Sequence, residues 1–578
     1  MSDSQRIDSV TLEVTRNAAA AVCEEMNANL IRTGYSPNIK ERRDCSCALF
    51  DADAEMIAQA ENMPVHLGSM PFSVEAAVDR FSRESLHPGD AILLNDPFYG
   101  GAHLPDLTLV TPVYHEGELI AFTANRAHHA DVGGSHAGSV SADSTEIYQE
   151  GLRIPPVKLF QQGDPNDAVF DMILSNVRTP DERRGDLRAQ EAANETGRRR
   201  FNELADRYGT SKLGVALEEI KNYSERRMRA EIDALPDGEY VFEDVLDDDG
   251  AGNADLPITV SLTIDGDEIL VDFTGTADQT AGPVNAVFAV TASATYYAVR
   301  CVTDPEIPPN HGCYRPITIT APEGTIVNPD PPAAVVGGNL ETSQRVTDVV
   351  LGAFAEVIPE SVVAGSQGTM NNITFGGEDP RSGDPYAFYE TQGGGFGGRA
   401  GKDGLDGVHV HMSNTMNTPA EVLETAYPLQ VARYELREDS GGAGEFRGGL
   451  GIRRDITVRD HTATFSLLAD RHTHHPYGLL GGTAGSSGSA VSISPNGNTK
   501  RLPQKSTHKL DPGTTVSIRT PGSGGYGDPS ARSKAAIEQD LRSEKVSIEQ
   551  ARESYGDTIV DEIINSDSNS IRDGGPNE

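Results

Sequence analysis

AILLNDPFYGGAHLPDLTLVTPVYHEGELIAFTANRAHHADVGG, residues 91–134, is the stretch on which the fold turns. Ala91–Leu94 reads as a buried strand, residues 95–106 as a Gly-rich loop, and LTLVTPVY and ELIAFTAN as two strands joined by a turn at His115, Glu116 and Gly117. With the turn centred near residue 116, antiparallel partners have numbers totalling about 232 or 233, which places Asp106 opposite residue 126 or 127. His103 and Asp106 stand just before the first strand, and His128, His129 and Asp131 just after the second. The hairpin therefore gathers them at one end. Two neutral imidazoles and a carboxylate at such an edge make a three-ligand set for a divalent metal, with a coordination position left open. His-x-x-Asp alone is common, and paired histidines after a strand are often hydrogen-bonded surface groups. Seven of the fifteen histidines nevertheless lie between His66 and His136, in this carboxylate-bearing segment, and that concentration favours the metal reading.

Working outward toward the N-terminus, residues 9–32 space Val10, Leu12, Val14, Ala21, Val22, Met26, Leu30 and Ile31 as an amphipathic helix. Cys45–Ala60 reads as a hairpin, in which Cys45 and Cys47 share a face as small apolar residues, and Val74–Phe81 as a helix. Toward the C-terminus, residues 183–232 are rich in helix formers and end at the turn Pro236, Asp237, Gly238. Tyr240–Gly275 alternates as a hairpin, and Ala286–Val302 fits a buried helix or strands equally well. Residues 366–530 are Gly-rich with short strand patterns, Ser530–Ile564 is helical, and Asn565–Glu578 is polar and expected to fray. The fold class is thus α+β and multi-domain, strand-rich with hairpins and antiparallel sheets. The expected units are an α+β metal-site region (1–182), a helical segment (183–235), a middle α/β region (236–365), a Gly-rich, mostly β region (366–530) and a helical tail (531–578).

A formal charge of -39, from 87 acidic and 48 basic side chains, argues against nucleic acid as a partner. The acidic residues are scattered, as in Asp247, Asp248 and Asp249, a distribution that fits solvation in a high-salt, halophilic cytoplasm better than one acidic interface. Five cysteines without a CxxC fit reduced thiols, and no apolar run of about 18 residues or signal-type N-terminus occurs, so a soluble cytoplasmic protein with no membrane contact is expected.

GGGFGG at 393–398 satisfies G-x-G-x-x-G but precedes RAGKDG rather than an apolar helix, so a backbone-packing or substrate loop is the better reading than a dinucleotide site. Gly401 and Lys402 end no phosphate loop, since Phe396 stands where its first Gly should be and Asp403 where Ser or Thr is needed. His472, His474 and His475 fit a structural or subunit-contact role. His409 and His411 alternate along VHVHMSN as if on one strand face, to line a pocket or to fill it.

SPNIKERRDCSCALFDADAEMIAQAENMPVHLGSM and GDAILLNDPFYGGAHLPDLTLVTPVY, followed by NRAHHADVGG, EIYQEGLRIPPVKL, ADQTAGPVNA, GGAGEFRGGLG and PGSGGYGDP, resemble the hydantoinase B and oxoprolinase family, to which the acetone carboxylase α subunit is related. The resemblance runs from residue 8 to about 560. It implies a divalent metal (Zn, Mn or Fe) on His103, Asp106 and His128, with Asp44 of the ER-x-D segment as a fourth ligand known from the resemblance alone. It also implies a hydantoinase A-type partner subunit that binds ATP in a hetero-oligomer, and ATP-dependent hydrolysis of a cyclic amide such as a hydantoin, N-methylhydantoin or 5-oxoproline. His129 or Asp131 is expected to shuttle protons. The alternatives are an acetone carboxylase α-like subunit and a non-catalytic scaffold.

Overall fold

The computed structural model describes residues 7–60 and 62–572, with side chains to residue 565. Its first sheet is built from β1 (Cys45–Asp51), β2 (Met56–Gln59), β3 (Ala91–Leu94), β4 (Asp106–His115), β5 (Glu118–His128), β6 (Val157–Gln161) and β7 (Asp164–Pro165), in the order β2-β1-β5-β4-β3-β6-β7. Every neighbouring pair is antiparallel. Helices cover both faces, which is why these strands read as near-continuous apolar runs rather than as strict alternation. Cys45, Cys47 and Ala127 pack under Val22, Met26 and Leu30 of the helix Ser9–Thr33 and Ala189 and Ala193 of the helix Pro180–Tyr208. On the opposite face Ala48, Val110, Phe122 and Ala124 meet Met70, Val74 and Ala77 of the helix Pro64–Arg80.

That last helix starts ten residues before the expected one. Pro64 occupies its first turn, where a missing amide costs nothing, while Gly68 and Pro71 inside it erase the helical signature. The ambiguous stretch at 286–302 resolves as a helix, Phe288–Cys301, lying between the helices Pro64–Arg80 and Ser343–Ala355. The hairpin expected over 240–275 is a three-strand meander, β8 (Gly238–Asp248), β9 (Ala254–Asp265) and β10 (Glu268–Asp272). A fourth strand, β11 (Ile317–Thr320), joins β10 in parallel; its alternating β-branched run ITIT lies between Pro316 and Pro322. The helical segment is two helices, Pro180–Tyr208 and Thr210–Asp233, broken at Gly209.

Beyond residue 366, a four-stranded and a five-stranded sheet share one core, with Phe375 and Phe465 on one side and Ile456 and Val516 on the other. Much of this region is irregular rather than β, because long Gly-rich segments pair through isolated bridges instead of ladders. The tail forms three helices, Lys534–Arg542, Ile548–Tyr555 and Asp557–Arg572. The expected fraying at 565–578 is replaced by helical backbone as far as Arg572, and 573–578 lie outside the described residues. Among the described residues no helix is long and apolar enough to cross a membrane.

Candidate metal centre

The β4–β5 turn places Glu116 (φ 50°) and Gly117 (φ 87°) in the left-handed region, as a two-residue type I′ hairpin requires. A bulge between Val113 and Tyr114 then shifts the register by one. Asp106 therefore faces His128 directly, one or two residues beyond the position expected from an unbroken ladder. On the other side of β5, Cys45 pairs with Ala127 and the His128 amide donates to the Asp44 carbonyl at 3.0 Å. Asp44, His128 and Asp106 thus form one row across three antiparallel strands, with side chains on the face covered by the helix Pro64–Arg80.

His103 joins the row through a local turn, in which the Asp106 amide donates to the His103 carbonyl at 3.0 Å. Its Nδ1 lies 3.4 Å from the Val336 carbonyl and its Nε2 lies 3.1 Å from Asp106 Oδ1. His128 Nδ1 approaches the same oxygen at 3.1 Å. From the covering helix, His66 Nε2 lies 3.3 Å from Asp106 Oδ2 and 3.8 Å from Asp44 Oδ1, and Arg42 Nη2 lies 3.6 Å from Asp44 Oδ2. The His128 ring stacks on Tyr389 with centroids 4.5 Å apart, and the Arg42 guanidinium sits 4.8 Å from the centre of that same ring.

All of these side chains are buried: His103 and Asp106 are 0% exposed and His128 is 2% exposed. One potential ligand atom each from His103, Asp106 and His128 lies within 4.8 Å of the others. His103 Nε2, His128 Nε2 and Asp106 Oδ2 have no hydrogen-bond partner of sound geometry. Buried polar atoms are rarely left so, and three of them on side chains that bring ligand atoms within 4.8 Å of one another fit a cation bound among these residues. Burial alone would raise the Asp106 carboxyl, but the His103 and His66 rings and the contact from His128 outweigh it and hold it well below the usual carboxylate range. Burial lowers the His128 imidazole against the pull of Asp106. An ionised carboxylate beside a neutral imidazole is the protonation state that metal binding requires.

His129 and Asp131 are not brought to this cluster. His129 projects from the opposite face of the sheet, where its Nε2 meets Gln190 Oε1 at 3.0 Å. Burial, aided by nearby Arg183, lowers it to about 4. Asp131 accepts from the amides of Gly133, Gly138 and Arg178 and from Arg178 Nη1, so it organises the loop after β5. Neither is placed to shuttle a proton at the row.

His66, Arg42 and Tyr389 are neighbours that the spacing of residues does not disclose. His66 lies within PVHLGSM, and only the concentration of histidines between 66 and 136 points toward it. A second acidic group, Asp51, Glu55 and Glu218, already holds Lys221 Nζ at its centre and is an ionic network. In the histidine series at 472–475, His474 Nε2 meets Asp255 Oδ1 at 2.6 Å and His475 Nδ1 meets the Gly485 carbonyl at 2.7 Å. VHVHMSN forms no strand, so His409 and His411 share no strand face. His409 Nδ1 meets Ser413 Oγ at 3.0 Å, whereas His411 turns away with φ 49°.

Residues 8–529 match the family described as hydantoinase B/oxoprolinase. An uncharacterized protein of Methanocaldococcus jannaschii is 44% identical over 96% of this chain and 97% of its own length. A Pseudomonas protein, provisionally named as the B component of a D-/L-hydantoinase, is 36% identical over 99% of both. The 5-oxoprolinase 1 of Arabidopsis thaliana is 38% identical over 90% of this chain, which spans only 42% of that longer protein. Among solved structures, the ATP-dependent caprolactamase of Pseudomonas jessenii superimposes with a TM-score of 0.89 at 31% identity, covering 95% of this chain and 96% of its own. A nucleotide-free acetone carboxylase shares the fold, with a TM-score of 0.87 at 19% identity over 98% of this chain and 84% of its own. From the matched residues and these relatives together, the chain belongs to the hydantoinase B/oxoprolinase family.

Proposed function

We propose that this chain is the metal-bearing subunit of an ATP-dependent cyclic-amide hydrolase, acting with an ATP-binding partner of the hydantoinase A type. The observation that carries the reading is the convergence of His103, Asp106 and His128 with unpartnered ligand atoms in a sealed, polar row. Support for the substrate class comes from relatives named for hydantoin, 5-oxoproline and caprolactam, all of which contain a ring amide. A divalent cation bound in this row supplies Lewis acidity toward an amide carbonyl and its attacking water.

The chain's own residues do the rest. Asp106, held ionised, and His128, whose neutral form burial favours, would present lone pairs inward beside His103, and Asp44 extends the row as a fourth donor at its β1 end. The Val336 carbonyl facing His103 Nδ1 favours the tautomer that leaves Nε2 unprotonated. Tyr389 fixes the plane of His128, and Arg42 restrains Asp44. His66 bridges both carboxylates from the covering helix.

The test is metal analysis of the wild type and Asp106→Ala after chelator-free purification, with amide hydrolysis assayed in the presence of the partner and ATP. Loss of both metal and hydrolysis in a folded variant supports the proposal, and full hydrolysis by a metal-free variant sinks it.

A further inference from the structure

Both histidines of the row are reached from one short segment of chain. The Val336 carbonyl faces His103 Nδ1 at 3.4 Å. Two residues on, the backbone enters a one-turn π-helix, Gly338–Thr342, which is buried throughout and runs straight into the helix Ser343–Ala355. Such turns are rare and recur at functional sites. This one is pinned in place. The Gly338 amide donates to the Pro283 carbonyl at 3.1 Å, the Thr342 hydroxyl donates to the Val284 carbonyl, and a Cβ on Gly338 would come within 1.9 Å of the Asn285 carbonyl oxygen. A side chain carried on it is therefore held from a fixed base.

Glu341 is that side chain. It is 0% exposed, and its Oε1 accepts from the Met370 amide at 3.2 Å and from Asn372 Nδ2 at 2.8 Å. Asn372 Nδ2 also donates to the Leu468 carbonyl at 2.9 Å, so two acceptors fix which way the amide faces, and its Oδ1 accepts from the Tyr389 hydroxyl at 3.0 Å. The Tyr389 ring stacks on His128 with centroids 4.5 Å apart and planes 19° from parallel. A continuous line of contacts thus joins Glu341 to an imidazole of the row. Stability does not account for the carboxyl, because its Oε2 is buried without a partner, which costs free energy. Burial pushes Glu341 up to about 8, so near neutral pH it accepts hydrogen bonds without adding a third negative charge around Tyr389, where Asp44 and Asp106 already act.

We propose that Glu341 is a positioning residue of the row, which through Asn372 and the Tyr389 hydroxyl sets the plane of the His128 ring. Stacking alone leaves the Tyr389 ring free to tilt about its bond to the backbone. Arg42, 4.8 Å from the ring centroid, bears on the face of the ring, and the hydroxyl bond to Asn372 holds the tip, where a tilt moves the ring farthest. Groups that orient a metal ligand from behind in this way are commonly worth about 10- to 100-fold in metal affinity. The proposal rests on the metal reading only in its consequence for a bound cation; the plane of His128 in the metal-free chain does not depend on that reading.

The test uses the full chain. Zinc affinity is read by competition with a chelator, and the ring signals of carbon-13-labelled histidines are followed by NMR in the metal-free protein. Tyr389→Phe removes the tether and keeps the ring. It should weaken zinc binding about tenfold or more and shift the His128 signal, while His103, on the Val336 carbonyl, and His129, on Gln190, keep theirs. Glu341→Leu should do the same, and Glu341→Gln, which keeps a neutral acceptor, should restore both the affinity and the His128 signal. Melting curves identify the folded variants; should Glu341→Leu not fold, Glu341→Asp, which draws the carboxyl back by one methylene, takes its place. Unchanged zinc affinity or an unmoved His128 signal in Tyr389→Phe would overturn the proposal. So would Glu341→Gln as damaging as Glu341→Leu, or all three rings shifting together. A wild-type chain that binds no zinc would remove the metal reading and leave the ring signals to decide the positioning, whereas zinc bound equally by every variant would do the reverse.

Discussion

The row at Asp44, His128 and Asp106 and the Gly-rich segments between 393 and 527 are both deeply buried, and they bury opposite things. The row buries charged and polar side chains on an ordinary ladder, whose backbone groups are satisfied strand to strand. The Gly-rich segments bury backbone. Gly442 donates to Ser523, Gly398 to Gly524, Gly524 to Gly365 and Gly395 to Pro521, so chain segments distant in sequence run side by side at contact distance. A Cβ on Gly522 would lie 1.8 Å from the Ser440 carbonyl oxygen, and one on Gly449 would lie 1.9 Å from that of Leu405. Side chains at the row can be changed while the ladder persists, whereas the Gly-rich core has no side chain to give way. Side-chain chemistry is separable from stability in the first region, whereas in the second the backbone contacts are themselves the stability.

The largest expected effect tests the second half of that contrast. Gly522→Ala should cost more than about 4 kcal/mol, because backbone must move to admit the methyl group; loss of soluble protein, or a collapse of the melting temperature in calorimetry, is the expected readout. A melting point within a few degrees of wild type would break the comparison. His128→Ala tests the first half. It should remove bound metal and at least about a thousandfold of hydrolysis, while circular dichroism and the melting temperature report a folded protein.

A smaller effect separates the two faces of the sheet. His129→Asn, one residue away but on the Gln190 side, should keep full metal content and most activity and lower stability by about 1 kcal/mol through its hydrogen bond. Metal loss in this variant would mean that the faces are not independent.

The subtlest test concerns pH. Burial pushes Glu150 up to about 8 against the amides of Val335 and Val336 that it accepts. In the fold it keeps its proton, while the unfolded chain loses it near 4.5, so this contribution is full below that value and is lost as pH rises through about 8. Glu150→Gln should flatten the decline in stability between about pH 5 and 8.5 by a few kcal/mol at most, with no gain at pH 5. Chemical denaturation at the two pH values distinguishes these outcomes.

Legibility in the sequence follows the same divide. The hairpin can be read because apolar runs, a Glu-Gly turn and flanking histidines and aspartates are all local, and the offset of one or two residues arises only because a bulge leaves no mark in the pattern. His66 is hidden by Gly68 and Pro71, which disguise the helix that delivers it. Tyr389 and Arg42 meet at the row from distant segments, and no periodicity announces such a meeting. In the Gly-rich region glycine carries neither a period of 2 nor one of 3.6, so the pattern overstates the strands there and hides the interlocking backbone. His129 follows His128 directly, and alternation sends consecutive side chains to opposite faces, while Asp131 lies beyond the end of β5 in a loop that its own hydrogen bonds organise.

Tyr389 closes over a hairpin made long before it. The Arg42 guanidinium donates to the Tyr389 carbonyl across 347 residues of chain. At about 5–20 residues per second, synthesis leaves roughly 20–70 s between the two halves of that contact. Until then the row lacks the ring against which His128 stacks, so the contact that covers it is the last of those described to be synthesised.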